Sequence, residues 1–451
     1  MTAYIVFVAM GLSIYVMRHQ SIERAFLYIW IPFFILMPES FYVDIPGLPD
    51  PSFMQAAIIP IVIGLVLRER FNVQLGVMEW LIVSYMVFRI VVDYSSRGYA
   101  DAQNYTFFLL TSMLGPYLLG RYLIKNRSMD IKTAKMFVLM FMIMFPMMIF
   151  ELKYWVTPLY KLLSPLFANA QSGLSVRYGI ARVHGSFTHP ILACIMILIA
   201  YRLHRWLTWK GVWDQKQTGL LGSFQRASSA VHIPMSSQIS IMLLLTAMLT
   251  ISRGPWLGGL FGAVVAAIGH RPDPKKVLSV VVPLMVLAVA IGGLLLNDYL
   301  TPGPGISLSY EAGTLLYRKS LLDRYFGFVL ERPFTGWGLT TTPRLPGMES
   351  VDNGFLLMAL EHGLPAPLLF IGMLAFAIVS QVYFAITGGD DKPAIGFTFA
   401  GIYVMCFVAF TTVYIGAQTM PMIFLLLGWG ESIRNRDIKP VETFIFKRVI
   451  C

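Results

Sequence analysis

Apolar stretches follow one another along almost the whole chain, most of them close to the roughly 20 residues an α-helix needs to cross a bilayer. They cover residues 1–17, 25–43, 52–67, 76–94, 104–124, 134–156, 188–203, 238–252, 254–270, 276–296, 355–387, 393–415 and 419–431. The 355–387 stretch divides into a short helix and a span from about 365. Lipid offers a backbone no hydrogen bonds, so segments of this kind must be helical. The expected fold is therefore all-α: a polytopic integral membrane protein with 12 or 13 transmembrane helices, one membrane domain over residues 1–451. Composition agrees. The chain is 57% hydrophobic and 13% charged, against about 25% charged in soluble domains, so most of it cannot face water. No basic segment precedes the first apolar stretch, which reads as a span and not as a cleaved signal.

The net charge of +11 would suggest nucleic acid in a soluble protein. Here its distribution follows the positive-inside rule. Arg18 and Arg24, Arg68 and Arg70, the cluster from Arg121 to Lys135, that from Arg202 to Arg226, Arg271 with Lys275 and Lys276, and the tail Arg434, Arg436, Lys439, Lys447 and Arg448 all fall on one side of a 13-span arrangement. That side is the expected cytoplasmic face, and no nucleic-acid partner is expected. The outer side receives 44–51, a first loop at 157–187 and a large loop at 297–353. Within the large loop, residues 314–332 have helical periodicity, with Leu315, Leu322, Phe326 and Val329 near one face and Arg318, Lys319, Asp323 and Arg324 elsewhere. An amphipathic helix at the membrane–water boundary is expected there, flanked by turns at 301–305 and 332–338.

The outer arginines Arg177, Arg182, Arg253, Arg318 and Arg324 run against the charge trend. A phosphate-bearing substrate would explain them, since guanidinium makes bidentate, charge-assisted bonds to phosphate. The alternative is snorkelling or pairing with lipid headgroups. Arg253 stands beside Gly254, Pro255, Gly258, Gly259 and Gly262, small residues that permit close approach of a helix or a ligand. A tight helical hairpin with its arginine on lipid phosphate is the structural alternative. Arg89 and Asp93, four apart near the outer end of a span, read equally as a functional and a structural pair. Glu39, Glu79 and Glu151 carry no assignment.

Chemistry at a substrate hydroxyl needs a proton acceptor. Asp352 is the first candidate, with Asn353 to orient it or the substrate; a helix N-cap is the competing reading. Glu311, Glu349, His184 and His189 are further candidates, whereas Glu361 and His362 precede what reads as a helix end. Cys194, Cys406 and Cys451 form no C-x-x-C pair. The nucleotide-binding, zinc-protease and serine-hydrolase motifs do not occur, so no cofactor and no metal is expected. No internal repeat is visible, which counts against a repeat-built transporter.

The runs SRGPWLGG at 252–259, ERPFTGWG at 331–338, VDNGFLLMALEHGLPAP at 351–367 and RYGIARVHGSFTHP at 177–190 resemble the O-antigen ligase and Wzy-type polymerase superfamily. By motif the resemblance covers about residues 170–370. It implies a bacterial inner-membrane glycosyltransferase with a large periplasmic loop, acting without metal on sugars linked to undecaprenyl diphosphate. Its implied partners are that lipid-linked oligosaccharide, membrane lipids, a chain-length regulator and export proteins. The resemblance also implies that Arg253 binds the donor diphosphate and that Arg177, Arg182 and Arg318 line the same cleft. Where ligases of the family carry a His before the Asn, this sequence has Asp352, which favours a polymerase of repeat units over a ligase to lipid A-core or protein. A transporter or flippase of the same glycan is the reading from another class.

Overall fold

The computed structural model describes residues 2–69, 75–167, 175–300, 310–348, 350–387, 394–414, 416 and 418–436. Lys439, Lys447, Arg448, Asp390, Asp391, Glu349, Cys451 and the 301–305 turn lie outside these residues, as does the side chain of Glu311. The protein is a polytopic all-α membrane protein, as its apolar runs require. Among the described residues, four helices are long and apolar enough to cross a bilayer: Arg127–Tyr154, Pro190–Trp209, Pro274–Leu295 and Pro365–Thr387. A fifth span results if Gly219–Ala230 and Met235–Leu249, bent by 102° at their junction, count as one.

Other expected spans are apolar but shorter, or are segmented. Ala3–His19, Phe53–Arg68, Arg253–Ile268 and Ile395–Phe410 are short apolar helices. The expected spans 25–43 and 104–124 contain five-residue π segments at Phe26–Trp30 and Leu110–Leu114, each of which widens the helix locally. The 355–387 stretch is Gly354–His362 followed by Pro365–Thr387, the short helix and span expected. The break between them holds Gly363 at φ 76.

At two of the helix crossings among the described residues, backbones come into especially close contact. Gly262 of Arg253–Ile268 lies against Gly401 of Ile395–Phe410; a Cβ on Gly262 would stand 2.3 Å from the Gly401 carbonyl oxygen. Gly120 of Gly115–Leu123 meets Gly428 of Met420–Arg434, where an added Cβ on Gly428 would lie 2.0 Å from the Tyr117 carbonyl oxygen. In lipid, where apolar side chains gain little from leaving the solvent, such close packing is a main source of helix association. One apolar core follows from these crossings and includes Val6, Phe137, Met196, Phe370, Phe424 and Ile433. The Pro274–Leu295 helix is different: none of its apolar window is buried, while Val277, Leu278 and Val281 pack on Ile268 and Phe397.

The large loop has a small core of its own. Tyr310–Glu331 packs Leu321, Tyr325 and Val329 against Leu356, Ala359 and Leu360 of the short helix. The face predicted from the sequence is corrected here: Val329 is buried, but Leu322 and Phe326 are 47% and 48% exposed. The helix has two apolar stripes, and the Leu321–Tyr325–Val329 stripe is the one that meets protein. The loop after it is tied down by its backbone. Trp337 N donates to Leu360 O at 2.7 Å, Gly338 N to Glu361 O at 2.9 Å, and Leu364 N to Pro333 O at 2.7 Å. Thus the 331–338 and 361–364 motifs form one interlocked unit.

Candidate functional site

The site is built on a helix break. Met235–Leu249 stops before Thr250, and the next helix starts at Arg253. Between them Ile251 has φ 48, a left-handed conformation that β-branched residues rarely adopt. Such a break frees carbonyls that lipid cannot solvate. Two arginines from the preceding loop satisfy them. Arg182 Nε donates to Thr250 O at 2.9 Å, and Arg177 donates to Ile251 O at 3.1 Å. Arg182 also donates to the Ser252 hydroxyl at 2.9 Å and to the Ser175 hydroxyl at 3.2 Å, and it is 5% exposed. Its guanidinium thereby clamps the loop to the break.

The two arginines come from a minimal hairpin, in which Val176 pairs with Ala181 and Arg177 with Ile180. Tyr178 and Gly179 form its turn at φ 55 and 74, the backbone of a type I′ turn. A tyrosine in that conformation is uncommon, and its position has a consequence. Arg253 donates to the Tyr178 hydroxyl, with its guanidinium carbon 5.8 Å from the ring centroid. Arg253 is exposed at the start of its helix, where free amides and the helix dipole also favour an anion.

A third side comes from the large-loop helix. Arg318 Nε is buried without a hydrogen-bond partner among the described residues. Burial holds the Arg318 guanidinium below its usual value; Asp352 opposes that shift and Arg177 adds to it. Arg177 and Arg318, from different loops, therefore lie within each other's field, and an anion between them would relieve both. His189 feels the same group: burial, with Arg182 next, lowers its pKa to about 4, and Asp352 opposes the shift. Neutral His189 caps Pro190–Trp209, its Nδ1 accepting from Ile191 N at 3.2 Å.

The structure thus brings Arg177, Arg182, Arg253, Arg318 and Asp352 to one region. It does not bring Arg324, which is exposed and, six residues from Arg318, points about 240° around the helix from it. Asn353 is the cap of Gly354–His362, its side-chain oxygen accepting from Phe355 N at 3.1 Å and Leu356 N at 3.0 Å. Asp352 is consequently not needed as a cap; it accepts from the Ser350 hydroxyl at 2.6 Å. Glu151 anchors the first loop by accepting from Gly185 N at 2.8 Å and His184 N at 3.1 Å. Arg89 donates to the Tyr85 hydroxyl at 2.5 Å and lies 5.1 Å from the Tyr105 ring centroid. Arg89, Tyr105 and Glu361 line a cavity of about 380 Å³. Sequence reasoning missed Tyr178, whose only local signal is the Tyr-Gly pair at a two-residue turn.

Arg253, Arg318 and Asp352 are contributed by the helix after the break, the loop helix and the re-entry into the bundle, and one stretch of chain holds all three. Residues 238–371 match the Wzy_C family model, O-antigen ligase. The Wzy_C match covers less than a third of the chain. It places this stretch in a family of membrane glycan polymerases and ligases. Arg177 and Arg182 lie before the Wzy_C segment, so the chain completes the arginine group from outside it. No curated protein matches the chain.

Proposed function

We propose that this protein polymerises undecaprenyl-diphosphate-linked oligosaccharide repeat units into exopolysaccharide or O-antigen, at the periplasmic face of the bacterial inner membrane. One observation carries the reading: Arg177, Arg253 and Arg318, from three separate segments, converge beside Asp352 at a broken helix. In this reading the 157–187 and 297–353 loops are periplasmic. Arg177, Arg253 and Arg318 hold the donor diphosphate, and Arg182 positions the hairpin that carries Arg177. An acceptor hydroxyl attacks the anomeric carbon. The new carbon–oxygen bond forms as the bond to the diphosphate breaks, and the electron pair leaves on the diphosphate. Preorganised guanidinium groups stabilise the developing charge. The hydroxyl proton passes to the Asp352 carboxylate, and direct attack inverts the anomeric configuration. No cofactor takes part in these steps.

The family description favours one second reading, transfer of a finished glycan to lipid A-core or protein. Deleting the gene and weighing the accumulated lipid-linked glycans separates the two. Single repeat units identify the polymerase; long lipid-linked polymers identify the ligase. The Asp352 role has its own test. Because Asn353 is the cap, Asp352→Asn should leave the helix start intact and lower turnover by about 100-fold or more, the range of general base catalysis. Unchanged turnover in that variant would remove Asp352 from the mechanism.

A further inference from the structure

A second cavity, of about 370 Å³, lies under the loop between Ile31–Leu36 and Phe53–Glu69. That volume is within the roughly 300–1,000 Å³ of small-molecule sites. Its wall carries several polar residues: Glu39, Tyr42, Asp50, Gln55 and Asn104 line it, with Phe107 and Phe108 alongside. The loop is held in shape around it. Tyr42 and Ser52 pair as an isolated bridge, Asp50 N donates to the Asn104 side-chain oxygen at 3.2 Å, and Asn104 Nδ2 donates back to Asp50 at 3.2 Å.

Two wall groups have no bonding partner among the described residues. The Ser52 hydroxyl, in a residue 2% exposed, has no hydrogen-bond partner among the described residues. A buried polar group normally has one. Glu39 likewise has neither an ion pair nor a hydrogen bond among the described residues. Burial raises its carboxyl to about 7, so near neutrality it both donates and accepts. The cavity adjoins the arginine group, since Thr188 on its wall precedes His189. It also shares Phe108 with the Arg89 cavity.

Carboxylates, amides and hydroxyls beside aromatic rings suit a ligand that is polar at its edge and apolar on its faces, which describes a sugar ring. We propose that this cavity is a saccharide subsite, binding a sugar of the lipid-linked glycan through Glu39, Ser52, Asp50 and Asn104. The inference rests on the glycosyl-transfer reading and adds a place for the sugar to the place for the diphosphate.

The test uses the full chain in lipid nanodiscs and two probes: undecaprenyl diphosphate, and the lipid-linked saccharide extracted from a strain deleted for this gene. Glu39→Leu and Ser52→Ala remove groups without partners among the described residues, so both variants should fold. Each should bind the lipid-linked saccharide at least tenfold more weakly and undecaprenyl diphosphate unchanged. In the wild type, carbodiimide amidation of Glu39, read by peptide mass spectrometry, should slow with the saccharide probe only. Wild-type affinity for the saccharide in both variants, or no protection of Glu39, would overturn the subsite. If Arg318→Ala leaves undecaprenyl diphosphate binding intact while Glu39→Leu loses the saccharide, the subsite stands and the diphosphate cradle falls. A wild type that binds neither probe overturns both.

Discussion

Arg318→Ala is expected to abolish glycan product in cells while leaving the amount of folded protein unchanged. The Arg318 Nε is buried with no hydrogen-bond partner among the described residues, so its removal breaks no bond there that holds the fold. What it removes is a cation beside Arg177 and Asp352, where charge on a leaving diphosphate would develop. Deleting one preorganised donor at such a point lowers turnover by about 10²–10³-fold. Arg253→Ala should act similarly, and Arg318→Lys should fall between, keeping the charge but not the planar fork. Arg324→Ala is the control, since its side chain is exposed and directed elsewhere on the helix. The readout is product formed from extracted lipid-linked glycan by purified protein. Full product from both the Arg253 and Arg318 alanine variants would end the diphosphate-cradle idea.

The largest effect on the fold is expected from one added methyl group. In Gly428→Ala the new Cβ would stand 2.0 Å from Tyr117 O and 2.9 Å from Arg121 N. Both neighbours are backbone, so no side chain can rotate away, and the two helices must part. Overpacking commonly costs about 1–3 kcal/mol, and contact with rigid backbone belongs at or above the upper end. The variant should lose its monodisperse peak in size-exclusion chromatography of detergent extracts. Gly372→Ala, in the apolar helix Pro365–Thr387, has nothing within 4 Å of the new Cβ and should behave as wild type. A normal elution profile for Gly428→Ala would mean that the two helices do not cross at this distance.

What the sequence made legible depended on how local the determining physics was. Hydrophobic runs announce helices in lipid, and the division of 355–387 was readable from Gly363 and Pro365. The π segments at Phe26–Trp30 and Leu110–Leu114 were not readable, because apolar composition is the same in either helix type. The helix over 314–332 was legible along the chain, but its protein-facing stripe was not. Leu322 and Phe326 are as apolar as Leu321 and Tyr325, and only the partner helix Gly354–His362 decides between them. At the site, Arg177, Arg182, Arg253, Arg318 and Asp352 stood out because charge set between apolar runs and short motifs mark them. Asn353, and not Asp352, proved to be the cap, a distinction of one residue that depends on backbone geometry. Glu39 and Ser52 stood at the ends of two apolar stretches, without spacing or motif, and only folding against Asn104 and Thr188 gives them a common cavity.

The helices on either side of the Ile251 break, Met235–Leu249 and Arg253–Ile268, have 15 and 16 residues. At 1.5 Å per residue they rise about 23 and 24 Å, less than the roughly 30 Å of a hydrocarbon layer. With their far ends at one surface, the break falls about 6 Å short of the opposite headgroups. Hydrophobic mismatch of this kind is met by thinning of the surrounding leaflet, and the arginines give that leaflet's phosphates a reason to dip. A lipid-borne diphosphate would then descend to the protein with its own leaflet, and the acyl-chain length of the host membrane becomes a determinant of how well it is held.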